Sequence, residues 1–195
     1  MYGFSSALLL RSELGLDPWD VLHQGLSRHT GLAVGTWAIL AGVVVLLLWI
    51  PLRQRPGIGT ISNVILVGLS MNAALELLPV PQALWLRWAC LLGGIVLCGV
   101  ATGAYIGAGL GPGPRDGLMV GLAARGFSLR VVRTAIELTV LVAGWLLGGT
   151  VGIGTALFAV GIGPLVHITL PLLSRGRVVP GPVTPEEEEV ERARE

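Results

Sequence analysis

Two short phrases hold most of the residues that could do chemistry inside this chain. The first runs Asp17-Pro18-Trp19-Asp20-Val21-Leu22-His23 and the second Gly113-Pro114-Arg115-Asp116-Gly117-Leu118-Met119. Carboxylates, an imidazole, an indole and a guanidinium at this spacing could bind a polar solute, hold a coupling ion or relay a proton. They also spell a helix start: Asp17 suits the N-cap, Pro18 the first helical position and Asp20 the third, where a carboxylate meets free backbone N–H groups. Gly113, Pro114 and Asp116 repeat that grammar. One carboxylate can cap a helix and bind a ligand, so both readings stand.

The second phrase differs where Arg115 replaces Trp19, which predicts an acidic and aromatic half facing a half with a fixed cation. Beside a helix N-terminus, Arg115 would favour an anionic group, or else it snorkels to mark one membrane face. His23 falls three residues after Asp20 on the same helical face and could relay protons. Glu137 lies about 9 Å beyond Val131 by helical rise, one turn after Arg133. It is either a proton or cation site or half of a local ion pair. Asp17, Trp19, Asp20, His23, Arg115, Asp116 and Glu137 are therefore the candidate substrate-binding residues.

Other chemistry lacks its residues. The sequence has no H-E-x-x-H, no G-x-S-x-G and no Cys/His nucleophile pattern, so no enzymatic activity is expected. Cys90 and Cys98 stand about 12 Å apart along a helix, too far for a disulfide, with no His or carboxylate at metal spacing. Neither a metal nor a cofactor is expected. Gly109-Leu110-Gly111-Pro112-Gly113 makes a poor phosphate cradle, since no strand precedes it and its proline lacks the backbone donor.

The elements that position these residues are written in apolar runs. With 53% hydrophobic residues and a mean hydropathy of +0.77, the chain is uncharged over residues 30–52, 56–75, 88–114 and 138–174 apart from one neutral His. Crossing a bilayer takes about 20 such residues, and only helices satisfy their own backbone there. At an offset of 96, Leu14, Gly15, Pro18, Asp20, Leu22, Gly25 and Leu26 match Leu110, Gly111, Pro114, Asp116, Leu118, Gly121 and Leu122. A one-residue slip then brings Gly57-Ile58-Gly59-Thr60 onto Gly152-Ile153-Gly154-Thr155, which makes an internal duplication.

The predicted fold is all-α: a polytopic helical membrane protein of two inverted three-helix repeats with short hairpin helices, re-entrant or interfacial. Spans are expected near 1–12, 33–51, 58–78, 86–108, 130–147 and 152–173. Residues 1–78 form the first repeat and 79–173 the second. Three crossings per repeat is an odd number, so the second should enter the membrane upside down. The first span is half the length its partner has, so the recorded start is expected to omit part of it. Residues 174–195, with Pro180, Pro182, Pro185 and six Glu after them, are expected to be a disordered acidic cytoplasmic tail.

All thirteen basic residues are Arg, and they gather at the ends of apolar runs rather than on one polar face, which argues against nucleic acid as a partner. One side collects Arg53, Arg55, Arg115, Arg125, Arg130, Arg133, Arg175 and Arg177, and the other only Arg11, Arg28 and Arg87. The richer side, with both termini, is predicted to be cytoplasmic. Asn63 and Asn72, and Gly99, Gly103 and Gly107 at four-residue spacing, read as helix–helix contacts.

The phrases G-L-D-P-W-D-V-L-H-Q-G-L from Gly15, G-A-G-L-G-P-G-P-R-D-G-L from Gly107 and V-R-T-A-I-E-L-T-V-L from Val132 make the chain resemble the YczE-type bacterial integral membrane proteins. These are distantly similar in layout to the YitT-type proteins. The resemblance implies a multi-pass protein of the bacterial plasma membrane and brings no settled activity with it. From the residues we expect a small-solute transporter with its polar site between the repeats. The alternative is an accessory protein that binds a partner through its helix faces. Lipid, an unknown small solute and further copies of the chain are the partners considered.

Overall fold

The computed structural model describes residues 1–109 and 111–173. The expected acidic tail therefore lies outside the described residues, as does Leu110. Among the described residues there are eight helices and no strand: α1 (Tyr2–Ser12), α2 (Pro18–Thr30), α3 (Val34–Leu52), α4 (Ile58–Leu77), α5 (Leu84–Gly107), α6 (Pro114–Ala123), α7 (Leu129–Leu146) and α8 (Ile153–Leu173). Every expected span is a helix, with ends displaced by a residue or two. The two phrases become α2 and α6.

Four helices, α3, α4, α5 and α8, are long and apolar enough to cross a bilayer. The other two expected spans differ from them. With 11 residues, α1 rises about 16 Å, half a hydrocarbon core. With 18 residues, α7 has the length but carries Arg130, Arg133 and Glu137.

The solvent for which this surface is built can be read from what is buried. Val160, Leu172 and Ile50 are each more than 70% exposed, while Ser5, Ser12, Thr60 and His23 are wholly buried. Water would favour the opposite partition, and lipid tails favour this one. Beside an apolar cluster that includes Leu9, Met71, Leu91 and Phe158, the helices meet through small and polar residues. The backbones of α3 and α4 touch at Gly35 and Gly68, where Asn72 Oδ1 accepts from Gly35 N at 2.8 Å. On α5, Gly99 and Gly103 seat Leu165 and Thr169 of α8, and Thr169 Oγ1 donates to the Gly99 carbonyl at 2.9 Å.

Helix α1 packs against α4 and α5, and α5 against α8, while α2 lies on α7 and α3, and α6 on α3 and α7. Each short helix is thus held by elements of both repeats. The loops that lead into them are anchored the same way. Gly15 and Gly111 have φ of +124° and +114°, a conformation open to glycine. A side chain at Gly15 would meet Thr155 Oγ1 at 2.8 Å, and one at Gly111 would meet Thr60 Oγ1 at 2.9 Å. Each loop therefore sits on the first turn of a long helix from the other repeat.

Those two threonines also receive the N–H of their own preceding glycine, Gly57 and Gly152, both at 3.3 Å. Across the repeats their bonds run in opposite senses. Leu16 N donates to Thr155 Oγ1 at 3.2 Å, whereas Thr60 Oγ1 donates to the carbonyl of Pro112 at 2.8 Å. Leu16 and Pro112 are equivalent positions, and proline has no N–H to give. A hydroxyl, being donor and acceptor, serves both.

Candidate functional site

The site is assembled from two helix starts. Asp17 is the N-cap of α2, and its Oδ1 accepts from Trp19 N at 2.9 Å and Asp20 N at 3.1 Å. Pro18 follows at the first helical position, where its missing N–H is no loss. In α6, Gly113 and Pro114 hold the same places without a side-chain cap. Since Asp17 alone satisfies the two backbone groups, Asp20 is released from the capping role that its position allowed.

The loops bring these starts together. The Arg115 guanidinium lies over the Trp19 ring, 4.7 Å from its centroid, and its Nη1 is 3.7 Å from Asp17 Oδ1. Tyr105 OH donates to Asp116 Oδ2. Asp20 Oδ1 meets His23 Nδ1 at 3.1 Å, one turn along α2, with both residues at most 1% exposed. The outer atoms of that pair, Asp20 Oδ2 and His23 Nε2, are buried without a hydrogen-bond partner, as is Trp19 Nε1. Buried polar atoms are nearly always paired, so three such atoms within two turns mark a place built for something other than packing.

Two cavities adjoin this cluster. The smaller, about 90 Å³, is bounded by α3 and α4 and includes His23 and Asn63 in its wall. The larger, about 280 Å³, is bounded by α5, α7 and α8 and includes Asp17, Arg133, Glu137 and His167. Tyr2, Trp19, Tyr105, Arg115 and Asp116 line both. They form a polar partition that borders both spaces.

The seven candidates therefore fall into three groups. Trp19, Arg115 and Asp116 belong to the partition, while Asp17 and Glu137 face the larger space and His23 the smaller. Asp20 stands behind, holding His23. Glu137 is bonded to Arg133 Nε at 2.9 Å, so the local ion pair exists and the same carboxylate also lines a cavity. Sequence reasoning passed over Tyr2 and Tyr105. The signal was available: these are the only two tyrosines in the chain, and both lie in apolar helices.

The charge balance limits what the partition can hold. Asp17, Asp20 and Asp116 against Arg115 give a formal −2 with His23 neutral. Two helix N-termini aimed at one place add about half a positive charge each, which brings the centre to about −1. Arg115 makes no hydrogen bond among the described residues beyond its ion pair and ring contact. Its five donors remain for a ligand. Among the described residues, no cluster of three or more His, Cys, Asp or Glu could hold a metal ion.

Comparison with known proteins agrees with the resemblance read from the hairpin phrases. The chain is 42% identical over 174 residues to an uncharacterised protein of Haemophilus influenzae, covering 89% of this chain and 80% of that one. It is 37% identical over 160 residues to the uncharacterised membrane protein YczE of Bacillus subtilis, covering 81% and 74%. With the uncharacterised protein YyaS of the same organism it shares 31% over 178 residues, 87% of each chain. No solved structure matches. A family of unknown function, DUF6198, matches residues 1–171, and this helical membrane protein belongs to it.

Proposed function

We propose that the protein moves a small polar solute across the bilayer by exposing one polar partition alternately to either side. A single observation carries this reading: the same five residues, Tyr2, Trp19, Tyr105, Arg115 and Asp116, line two separate cavities. A solute held at that layer needs only a rocking of the surrounding helices to change the side it faces. Arg115 supplies a planar set of donors for a carboxylate or similar group, and Asp116 with Tyr105 supplies an acidic and hydroxyl counterpart. A centre of about −1 suits a neutral, zwitterionic or cationic solute better than an anionic one. No covalent step is part of the reading.

The threading assigned here is two repeats of opposite orientation in a bacterial plasma membrane, with both termini cytoplasmic. The reciprocal seating of each hairpin loop on the other repeat supports it, as does the uneven distribution of arginines. The test begins with a thermal-shift screen of metabolites on detergent-solubilised protein, because a ligand that prefers the folded state raises its stability. Solutes that register are then offered to proteoliposomes. Exchange should occur, and Arg115→Ala and Asp116→Asn should each slow it about tenfold or more. Both variants folding normally and exchanging at the parent rate would end the assignment.

A further inference from the structure

Asp20 and His23 have a geometry that neither capping nor packing explains. Both are at most 1% exposed, their facing atoms are 3.1 Å apart, and each keeps one buried polar atom without a partner. Asp17 already caps the helix. The equivalent positions in the second repeat are Asp116 and Met119, where the carboxylate takes its bond from Tyr105 instead. A thioether cannot accept a proton at neutral pH, so a titratable carboxylate–imidazole pair exists in one repeat and not in the other.

We propose that Asp20 and His23 form a proton-loading site, and that its proton is the coupling ion of the solute movement proposed above, on which this second clause rests. In the unloaded state one proton lies between Asp20 Oδ1 and His23 Nδ1, and the pair carries −1. A second proton, taken from water in the cavity whose wall includes His23, binds at Nε2 and makes the pair an imidazolium–carboxylate of zero net charge. No other bond forms or breaks, and the proton returns to water on the far side. A cavity of about 90 Å³ is large enough to hold water.

Loading brings the formal charge of the whole cluster from −2 to −1, which the two helix N-termini offset to about zero, and a cluster closer to neutrality crosses between the two exposures at lower cost in a medium of low dielectric. The surroundings that tune the pair come from every neighbouring element. Asp17 lies one turn earlier on α2 and Arg115 comes from α6, Cys98 of α5 interacts with Asp20, and Asp116 of α6, Tyr2 of α1, Tyr105 of α5, the Arg133–Glu137 pair of α7 and His167 of α8 line the adjoining cavities. Helix α3 contains no ionisable side chain, and α4 offers Asn63, with Glu76 at its far end. With carboxylates this close, the titration belongs to the cluster rather than to one residue.

The titration can be followed without knowing the solute. Full-length protein in nanodiscs, with His29→Gln and His167→Gln so that His23 is the sole histidine, is labelled with 15N-histidine. Burial pushes the His23 imidazole below its usual range, so its ring nitrogens should shift in one step on the acid side of about pH 6.5, and Asp20→Asn should move that step to lower pH. Nitrogens that stay in one protonation state throughout, or a step indifferent to Asp20→Asn, would overturn the proposal. Size-exclusion profiles matching the parent show that the variants are folded. The coupling clause is read separately, with the dye pyranine trapped in proteoliposomes as the probe: a solute that is exchanged should change the luminal pH, and exchange without a pH change sinks that clause. Failure to exchange any solute ends the transporter reading and leaves the titration to decide the proton site.

Discussion

Asp17 at the start of α2 and Gly113 at the start of α6 occupy the same place in the repeat, and so do Trp19 and Arg115, and His23 and Met119. Both helices begin with proline and both are entered through a glycine of positive φ seated on a threonine of the other repeat. The scaffold has been kept while the side chains diverged. One hairpin carries its own cap, an aromatic face and a titratable pair; the other carries a bare cap position and the cation. The difference teaches that the matching loops bring the two helix starts together and the side chains that differ make their meeting attractive. Two copies of the first hairpin would oppose Asp17 to Asp17, with no cation between them.

The packing behind the hairpins shows the same exchange of roles. Trp49 of α3 lies against Gly117 of α6, and its Nε1 donates to the carbonyl of Pro114 at 3.0 Å. In the other repeat the small residue is on the long helix, where Gly144 of α7 receives the backbone at Val21 and Leu22 of α2. The largest effect is therefore expected from Trp49→Gly, which empties a buried site and should cost about 3–5 kcal/mol. Adding Gly117→Val, which copies the arrangement of the first repeat, should recover part of that loss. Thermal stability in detergent, followed by size exclusion, checks it; a double variant less stable than Trp49→Gly alone would break the equivalence of the two interfaces.

A smaller effect separates the two caps. Asp17→Ala removes the acceptor of two backbone N–H groups and the counter-charge of Arg115, and should destabilise the protein by about 1–2 kcal/mol from the cap alone. Asp17→Asn keeps an oxygen for the cap and removes only the charge, so its stability should lie between. Equal losses for the two variants would assign the whole effect to the ion pair.

The smallest effect tests symmetry most directly. Thr60→Val and Thr155→Val each delete one hydroxyl bond between repeats, worth about 1 kcal/mol apiece. The two losses should be similar and should add in the double variant, because the sites lie in different interfaces. A loss confined to one of them would mean that a single loop anchor holds the hairpins.

The helices were legible in the chain because each is a local matter. Uncharged runs of about 20 residues have no other way to satisfy their backbone in lipid, and Asp17-Pro18 or Gly113-Pro114 announces a helix start wherever it stands. The offset of 96 made Gly15 and Gly111 a pair before any contact was known. Trp19, Arg115 and Asp116 were recognisable as polar groups misplaced in an apolar context. Tyr2 and Tyr105 escaped notice because a tyrosine in an apolar run resembles ordinary packing until its hydroxyl is seen to meet a carboxylate.

Composition and periodicity by themselves determined the class of solvent, the number and limits of the helices and the existence of two matching polar helix starts. Tertiary structure alone decided that Arg115 would lie on Trp19 rather than snorkel, that Asp17 would do the capping and leave Asp20 to His23, and that five residues would line two cavities. The reason is one of range. A helix and its cap are fixed by neighbours a turn away, whereas the partner of a buried charge is chosen by how two segments about a hundred residues apart come to rest against each other.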